Sequence, residues 1–315
     1  MNPTSRQLRP RPTGARKTRV KNGSAAERPA VNHGYFRGYD GTKLFYSTEG
    51  KGRPLVFCYG LVCSSLHWTY QIEYFSRQYQ TIWFDYRGHQ NSDTPKDLKS
   101  LTLEGIADDL KILLDELKIP DAVILGHSMG VNVVLEFAHK YPERVAAMIL
   151  ANGTPRRPIE TFVSGNIMEP TFKGMRLLHE YAPRVLRKLW SLQPKNPFAR
   201  VIASMGGFNP HLTPKEDIDF YLSSVAEMDP SIFVHLIENY ADYDATPWLH
   251  SLKAPTLILG GEIDSLTPVS TQRLMDQVLP NSRLEVIQHG SHCAQMDLPE
   301  VFNLKVERFL GEIGY

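Results

Sequence analysis

Ala122-Val123-Ile124-Leu125-Gly126-His127-Ser128-Met129-Gly130-Val131 is the stretch that decides the fold. A short apolar run bounded by Pro120-Asp121 leads into Gly126-His127-Ser128-Met129-Gly130, and Val131, Val134, Leu135 and Ala138 then recur at helical spacing. That is strand, tight turn, helix. The middle residue of such a turn is held in a strained backbone conformation, so small residues are required two before and two after it. Gly126 and Gly130 meet that requirement. The turn holds a serine hydroxyl clear of the sheet, beside the N–H groups of a helix N-terminus, where negative charge is favoured. The five-residue pattern also arises by chance, so its meaning depends on a base and an acid elsewhere in the chain.

Outward from the turn, strand and helix signals alternate. Tyr35 to Tyr39 and Lys43 to Ser47 flank Asp40-Gly41 and read as a hairpin. Pro54 to Cys58, Thr81 to Phe84 and Val145 to Ala151 are short continuous apolar runs of the kind buried in a parallel sheet. Leu103, Ile106, Ala107, Leu110, Leu113, Leu114 and Leu117 trace one face of a helix capped by Thr102. The sheet pattern resumes at Pro255 to Gly260, with a helix over 269–278, a strand over 283–287 and a closing helix over 301–310. The expected fold class is α/β, a mostly parallel doubly wound sheet.

The alternation stops between 154 and 250, where helical stretches are punctuated by prolines, among them Pro155, Pro158, Pro170, Pro183, Pro194, Pro197, Pro210 and Pro214, and no strand is evident. The expected organisation is a tail over 1–30, a core over 31–153 and 251–315, and a helical lid over 154–250 lying above the carboxyl ends of the strands. The lid's apolar residues, Phe162, Ile167, Met168, Phe172, Met175, Leu177, Leu178, Trp190, Phe208, Phe220, Tyr221, Met228, Phe233 and Trp248, serve its own packing, and some are expected to meet the pocket.

The formal charge of +1 favours no polyanionic or cationic partner for the whole surface. It is unevenly spread. Residues 1–30 hold eight basic side chains against Glu27 alone, which leaves the remainder near −6. That tail is rich in Pro, Arg, Ser and Gly and reads as disordered; a polyanion-binding arm and a transit peptide stay open, though interleaved aromatics are missing and no nucleic-acid partner is expected. Cys58, Cys63 and Cys293 are too few for a disulfide framework, no apolar run reaches the ~18 residues of a membrane span, and no secretory signal is evident. A cytoplasmic protein is expected.

Three loops at strand ends carry the informative polar groups: Ser128, then Gly261-Glu262-Ile263-Asp264, then Gln288-His289-Gly290-Ser291-His292. With the turn at 126–130, the segment Ala254 to Asp264 followed by Thr267-Pro268, and Gly290-Ser291-His292 followed by Leu298-Pro299-Glu300, the chain from about Gly34 onward resembles the α/β-hydrolase superfamily, in its lid-bearing epoxide-hydrolase and carboxylesterase-like branch. The resemblance implies that Ser128 is the nucleophile, His292 the general base and Asp264 the carboxylate that orients it. It implies an oxyanion hole from the backbone N–H groups of Leu61 and Met129. Glu262 and, more weakly, Asp85 rival the acid; His89, His127 and His289 rival the base. The chain departs from its relatives at Tyr59, where His usually precedes Gly60, at Gln90, where Gly is common, and at Val131, where a second Gly commonly follows the turn.

A serine nucleophile disfavours the epoxide-opening and dehalogenating chemistry of the aspartate branches. The expectation is a hydrolase of carboxylic esters of modest size with an apolar part, without metal or cofactor. A cofactor-free haloperoxidase or perhydrolase and a non-catalytic ligand-binding scaffold are the alternatives. The oligomeric state has no signal in the sequence.

Overall fold

The computed structural model describes residues 28–156, 165–192 and 207–315. Phe162, most of the basic tail, and the side chains of Ile167 and Met168 lie outside the described residues. Eight strands form one sheet in the order β1-β2-β4-β3-β5-β6-β7-β8: β1 Val31–Arg37, β2 Lys43–Glu49, β3 Pro54–Cys58, β4 Gln80–Phe84, β5 Ala122–His127, β6 Val145–Ala151, β7 Thr256–Gly261 and β8 Ser282–Ile287. β2 runs antiparallel to β1 and to β4, and the other pairs are parallel. The parallel strands β3, β5, β6 and β7 are buried almost throughout because helices cover both faces of the sheet, as their unbroken apolar runs require.

The chain passes from β3 outward to β4 and then back across β3 to β5. The strand order therefore reverses beside β3, and in open α/β sheets ligands bind at the carboxyl ends of the strands at such a reversal, here β3 and β5. Tyr59-Gly60 and Ser128 stand at those two ends.

The helices are α1 Thr69–Phe75, α2 Leu103–Glu116, α3 Met129–Lys140, α4 Gly165–Tyr181, α5 Pro183–Ser191, α6 Lys215–Glu227, α7 Pro230–Ala241, α8 Val269–Val278, α9 Ala294–Asp297 and α10 Pro299–Glu312. The Thr102 hydroxyl accepts the Gly105 N–H at 2.9 Å and caps α2 as expected. Four of these helices, α4 to α7, lie between β6 and β7. Among the described residues of 154–250 the sole β pairing is the bridge Arg156–Asp244.

Two local expectations change. The first strand begins at Val31, and Arg28, assigned to the tail, donates from Nε to buried Glu49 Oε1 at 2.7 Å, so the ordered body starts before residue 31. α1 has no counterpart in the sequence pattern: seven residues are too few for a helical period to stand out, and Ile72 and Phe75 are buried by the sheet rather than marked by the sequence. One buried ion-pair network ties the loop after β4 to α2: Arg87 donates to both Asp109 oxygens at 2.9 and 2.6 Å and to Asp40 at 2.9 Å.

Candidate active site

The strand–turn–helix at 122–140 forms as its residues demand. Ser128 has φ 54° and ψ −123°, a conformation that costs an L-residue energy and is held by its neighbours. A Cβ on Gly126 would lie 2.5 Å from Gly130 O, and one on Gly130 would lie 2.3 Å from Cys58 O. Both obstacles are backbone, so the turn can form with glycine alone at these positions. Ser128 is 8% exposed and precedes the first residue of α3, Met129. The N–H groups in the first turn of a helix have no partner inside it.

The loop after β3 lies against the serine. A Cβ on Gly60 would stand 3.0 Å from Ser128 Cβ, so glycine permits the approach. A turn closed by Cys63 N–H to Gly60 C=O at 3.2 Å follows, with β-branched Val62 at φ 54°. That bond does not use the Leu61 amide.

His292 and Asp264 are brought together. Nδ1 of His292 lies 3.2 and 3.1 Å from the two Asp264 oxygens, and both residues are buried. Asp264 Oδ1 accepts the N–H groups of Leu266 and Thr267, each at 2.9 Å, while Oδ2 accepts Thr267 Oγ1–H at 2.7 Å and Asn152 Nδ2–H at 2.9 Å. Burial pushes this carboxyl up, but the His292 charge and these donors outweigh burial and hold it below the usual carboxylate range. Asn152 also donates to Ser291 O at 3.1 Å, so one amide links the ends of β6, β7 and β8.

The serine turn is tied to the histidine loop. His127 Nε2–H donates to His292 C=O at 2.9 Å, and the two rings lie 5.0 Å apart. His67 stacks on His127 at 5.9 Å and is pushed down to about 4 by burial; His127 is held well below its ordinary value by burial and by His292. Both are neutral at physiological pH.

The competing acids and bases lie elsewhere. Glu262 is exposed and accepts the His289 N–H at 2.8 Å, away from His292. Asp85 is buried, pushed up to about 6 by burial, and accepts from Asn91 N and Nδ2. His89 Nδ1–H donates to Arg87 O at 3.1 Å, and burial lowers it to about 4.

Sequence reasoning missed Asn152, Thr267 and Asp297. Asp297 is buried and accepts Ser291 N–H and Oγ–H, each at 2.6 Å, Asn209 N–H at 3.0 Å and the Thr213 hydroxyl, which fastens residues 207–213 to the histidine loop. The position of Asn152 directly after a buried strand was the available signal. Among the described residues no three His, Cys, Asp or Glu side chains are grouped to hold a metal ion.

A family model described as alpha/beta hydrolase fold matches residues 53–174 and 234–299. The chain belongs to the α/β-hydrolase family. It is 27% identical to epoxide hydrolase 4 of Mus musculus over 290 residues, covering 89% of this chain and 80% of that one. It is 28% identical to 3-oxoadipate enol-lactonase 2 of Acinetobacter baylyi over 267 residues, covering 84% and 91%. The crystal structure of a hydrolase from Pseudomonas aeruginosa superposes with TM-score 0.73 at 20% identity, covering 89% and 98%.

The departures from the α/β-hydrolase pattern have local solutions. Tyr59 Oη accepts the Tyr86 N–H at 2.7 Å while Tyr86 Oη–H donates to Tyr59 C=O at 3.1 Å, and the rings lie 4.1 Å apart. This reciprocal pair binds the loop after β3 to the loop after β4. Gln90 takes the left-handed conformation, φ 43°, that glycine adopts more readily. The bulk of Val131 is accommodated by Gly153, where a Cβ would lie 2.5 Å from Val131 Cγ2.

Of the apolar residues expected in the insertion, Phe208 and Tyr221 reach this region. They pack with Cys293 and Met296 and against the His67 ring at 6.4 and 5.1 Å. Phe172, Met175 and Trp248 pack on the main core, Trp190 donates from Nε1 to Val225 O at 2.8 Å, and Leu177 faces outward.

Proposed function

We propose that the protein is a serine hydrolase of carboxylic esters of modest size with an apolar acyl or alcohol part. Ser128 Oγ attacks the carbonyl carbon and gives its proton to His292 Nε2; the carbonyl oxygen takes the negative charge beside the N–H groups of Leu61 and Met129. Collapse expels the alcohol, which takes the proton from His292 and leaves an acyl-Ser128. Water, activated by the same imidazole, releases the acid and restores Ser128. Asp264 keeps the proton on Nδ1 and stabilises the imidazolium.

The observation that carries the reading is the contact of His292 Nδ1 with both oxygens of a buried carboxylate, on a loop bonded through His127 to the serine turn. Residues 154–250 are taken as the lid, and among its described apolar side chains Phe208 and Tyr221 pack with Cys293 and Met296 beside the histidine loop, which supports a pocket selective for apolar groups. Three unpaired thiols support a cytoplasmic setting, and no described helix is long and apolar enough to cross a membrane.

A fluorophosphonate probe tests the assignment. It should label the parent and not Ser128→Ala, and a panel of p-nitrophenyl esters of rising acyl length should be hydrolysed by the parent alone. Labelling that survives Ser128→Ala would refute the nucleophile.

A further inference from the structure

Helices α4 and α5, joined at Ala182, pack on each other and on α7. Their inner face is occupied: Leu186 and Trp190 are buried, and the Trp190 and Phe172 rings lie 5.2 and 5.9 Å from Phe233. A helix with one buried face ordinarily turns polar residues outward. This hairpin turns apolar residues outward as well. Leu177, Tyr181, Val185, Leu189 and Leu192 are 47% to 76% exposed. They are five of the ten large apolar side chains exposed among the described residues, gathered within sixteen consecutive positions. Along α5 and its C-cap, Val185, Leu189 and Leu192 recur at i, i+4 and i+7, across the helix from Trp190.

The polar residues beside this stripe are mostly cations. Lys173, Arg176, Arg184, Arg187 and Lys188 are exposed, and Glu180 is the one acidic residue between 173 and 192, for a net charge of +4. Exposed apolar side chains flanked by Lys and Arg suit a surface that offers acyl chains below a layer of negative charge. Protein interfaces are depleted of lysine, and a water-facing helix has no use for the apolar stripe. The basic tail, with eight cationic residues in its first thirty, adds charge of the same sign to the same chain.

We propose that the outer face of the α4–α5 hairpin docks the protein on an anionic phospholipid surface. Val185, Leu189 and Leu192 enter the acyl boundary while Arg184, Arg187 and Lys188 meet lipid phosphates. The proposal deepens the hydrolase reading by bringing the insertion to esters dissolved in a membrane, but its test does not depend on turnover.

The full chain is floated with vesicles of phosphatidylcholine alone or with a quarter phosphatidylglycerol, at about 0.1 M and about 0.5 M salt. Binding should require phosphatidylglycerol and weaken at the higher salt. The double variant Val185→Ser/Leu189→Ser should bind at least about tenfold more weakly, and Arg184→Glu/Arg187→Glu/Lys188→Glu should lose the dependence on anionic lipid. A chain lacking residues 1–27 should keep the binding, which separates the hairpin from the tail. An unchanged melting temperature shows that each variant is folded, and hydrolysis of a soluble short ester is read separately, so failure of the ester-hydrolase reading is distinguishable. Four results would overturn the proposal: no preference for anionic vesicles, binding indifferent to both sets of substitutions, binding abolished by tail deletion alone, or a parent dimer that Leu189→Ser converts to monomer.

Discussion

Replacing Asp264 by Asn tests the proposed chemistry where the hydrogen-bond inventory is fullest. The carboxylate accepts from two backbone amides on Oδ1, from Asn152 and Thr267 Oγ1 on Oδ2, and touches His292 Nδ1 with both oxygens. An amide has one acceptor oxygen. The Leu266 and Thr267 N–H groups cannot rotate away, so the oxygen of the substituted side chain must take the Oδ1 side and its NH₂ must face Asn152, Thr267 and His292. Imidazole Nδ1 then meets a donor, which favours the tautomer protonated on Nε2, and that tautomer cannot accept a proton from Ser128. Turnover should fall by about the 10⁴-fold known for the matching change in the serine-protease template. One buried donor loses its acceptor, which costs about 1–3 kcal/mol of stability. Because Asp264 is held below its ordinary value, its contribution to stability is present above about pH 4 and is lost as pH falls through the folded value; the variant should lack that part of the acid transition. Initial rates on a short p-nitrophenyl ester, with melting curves from pH 3 to 7, read both effects. Turnover within tenfold of the parent, or a larger loss in Glu262→Gln, would refute the assignment of Asp264.

Tyr59→Phe leaves the buried Tyr86 N–H without its acceptor and loosens the loop that carries Leu61; kcat should fall up to about tenfold at constant KM, with about 1–3 kcal/mol lost in urea unfolding. A change in KM alone would argue against a role in the oxyanion hole. Arg87→Met strands Asp109 in the core and should cost about 3–5 kcal/mol, part of it recovered in Arg87→Met/Asp109→Asn, as equilibrium unfolding will report. Burial raises Asp85 to about 6, so the stability conferred by its protonated form is complete below about pH 4 and is lost as pH rises through about 6. Asp85→Asn should therefore raise the melting temperature at pH 8 relative to the parent and not at pH 4; a pH-independent difference would contradict this.

The sequence by itself determined the sheet's central strands, the serine turn and the order Ser, Asp, His. Each is a local matter: unbroken apolar runs can be satisfied only in a buried parallel sheet, and Gly126 and Gly130 are dictated by backbone contacts within a few residues of Ser128 or with the adjoining strand. The helical insertion between β6 and β7 was legible only as an interruption of the strand pattern. The tertiary structure decided which carboxylate meets which imidazole. Glu262 and Asp264 are two residues apart and chemically alike, and strand alternation would turn both to one side, yet one faces outward to the His289 amide and the other inward to His292, because the turn closed by Asp264 N–H to Gly261 C=O at 3.2 Å breaks that alternation. It also decided the roles of Asn152, Asp297 and Tyr59, whose partners include residues 139, 88 and 27 positions away respectively. Position at a strand end draws attention to Asn152 and Tyr59, but no local pattern names their partners. Their selection comes from what a buried donor or acceptor finds opposite it once the sheet is assembled.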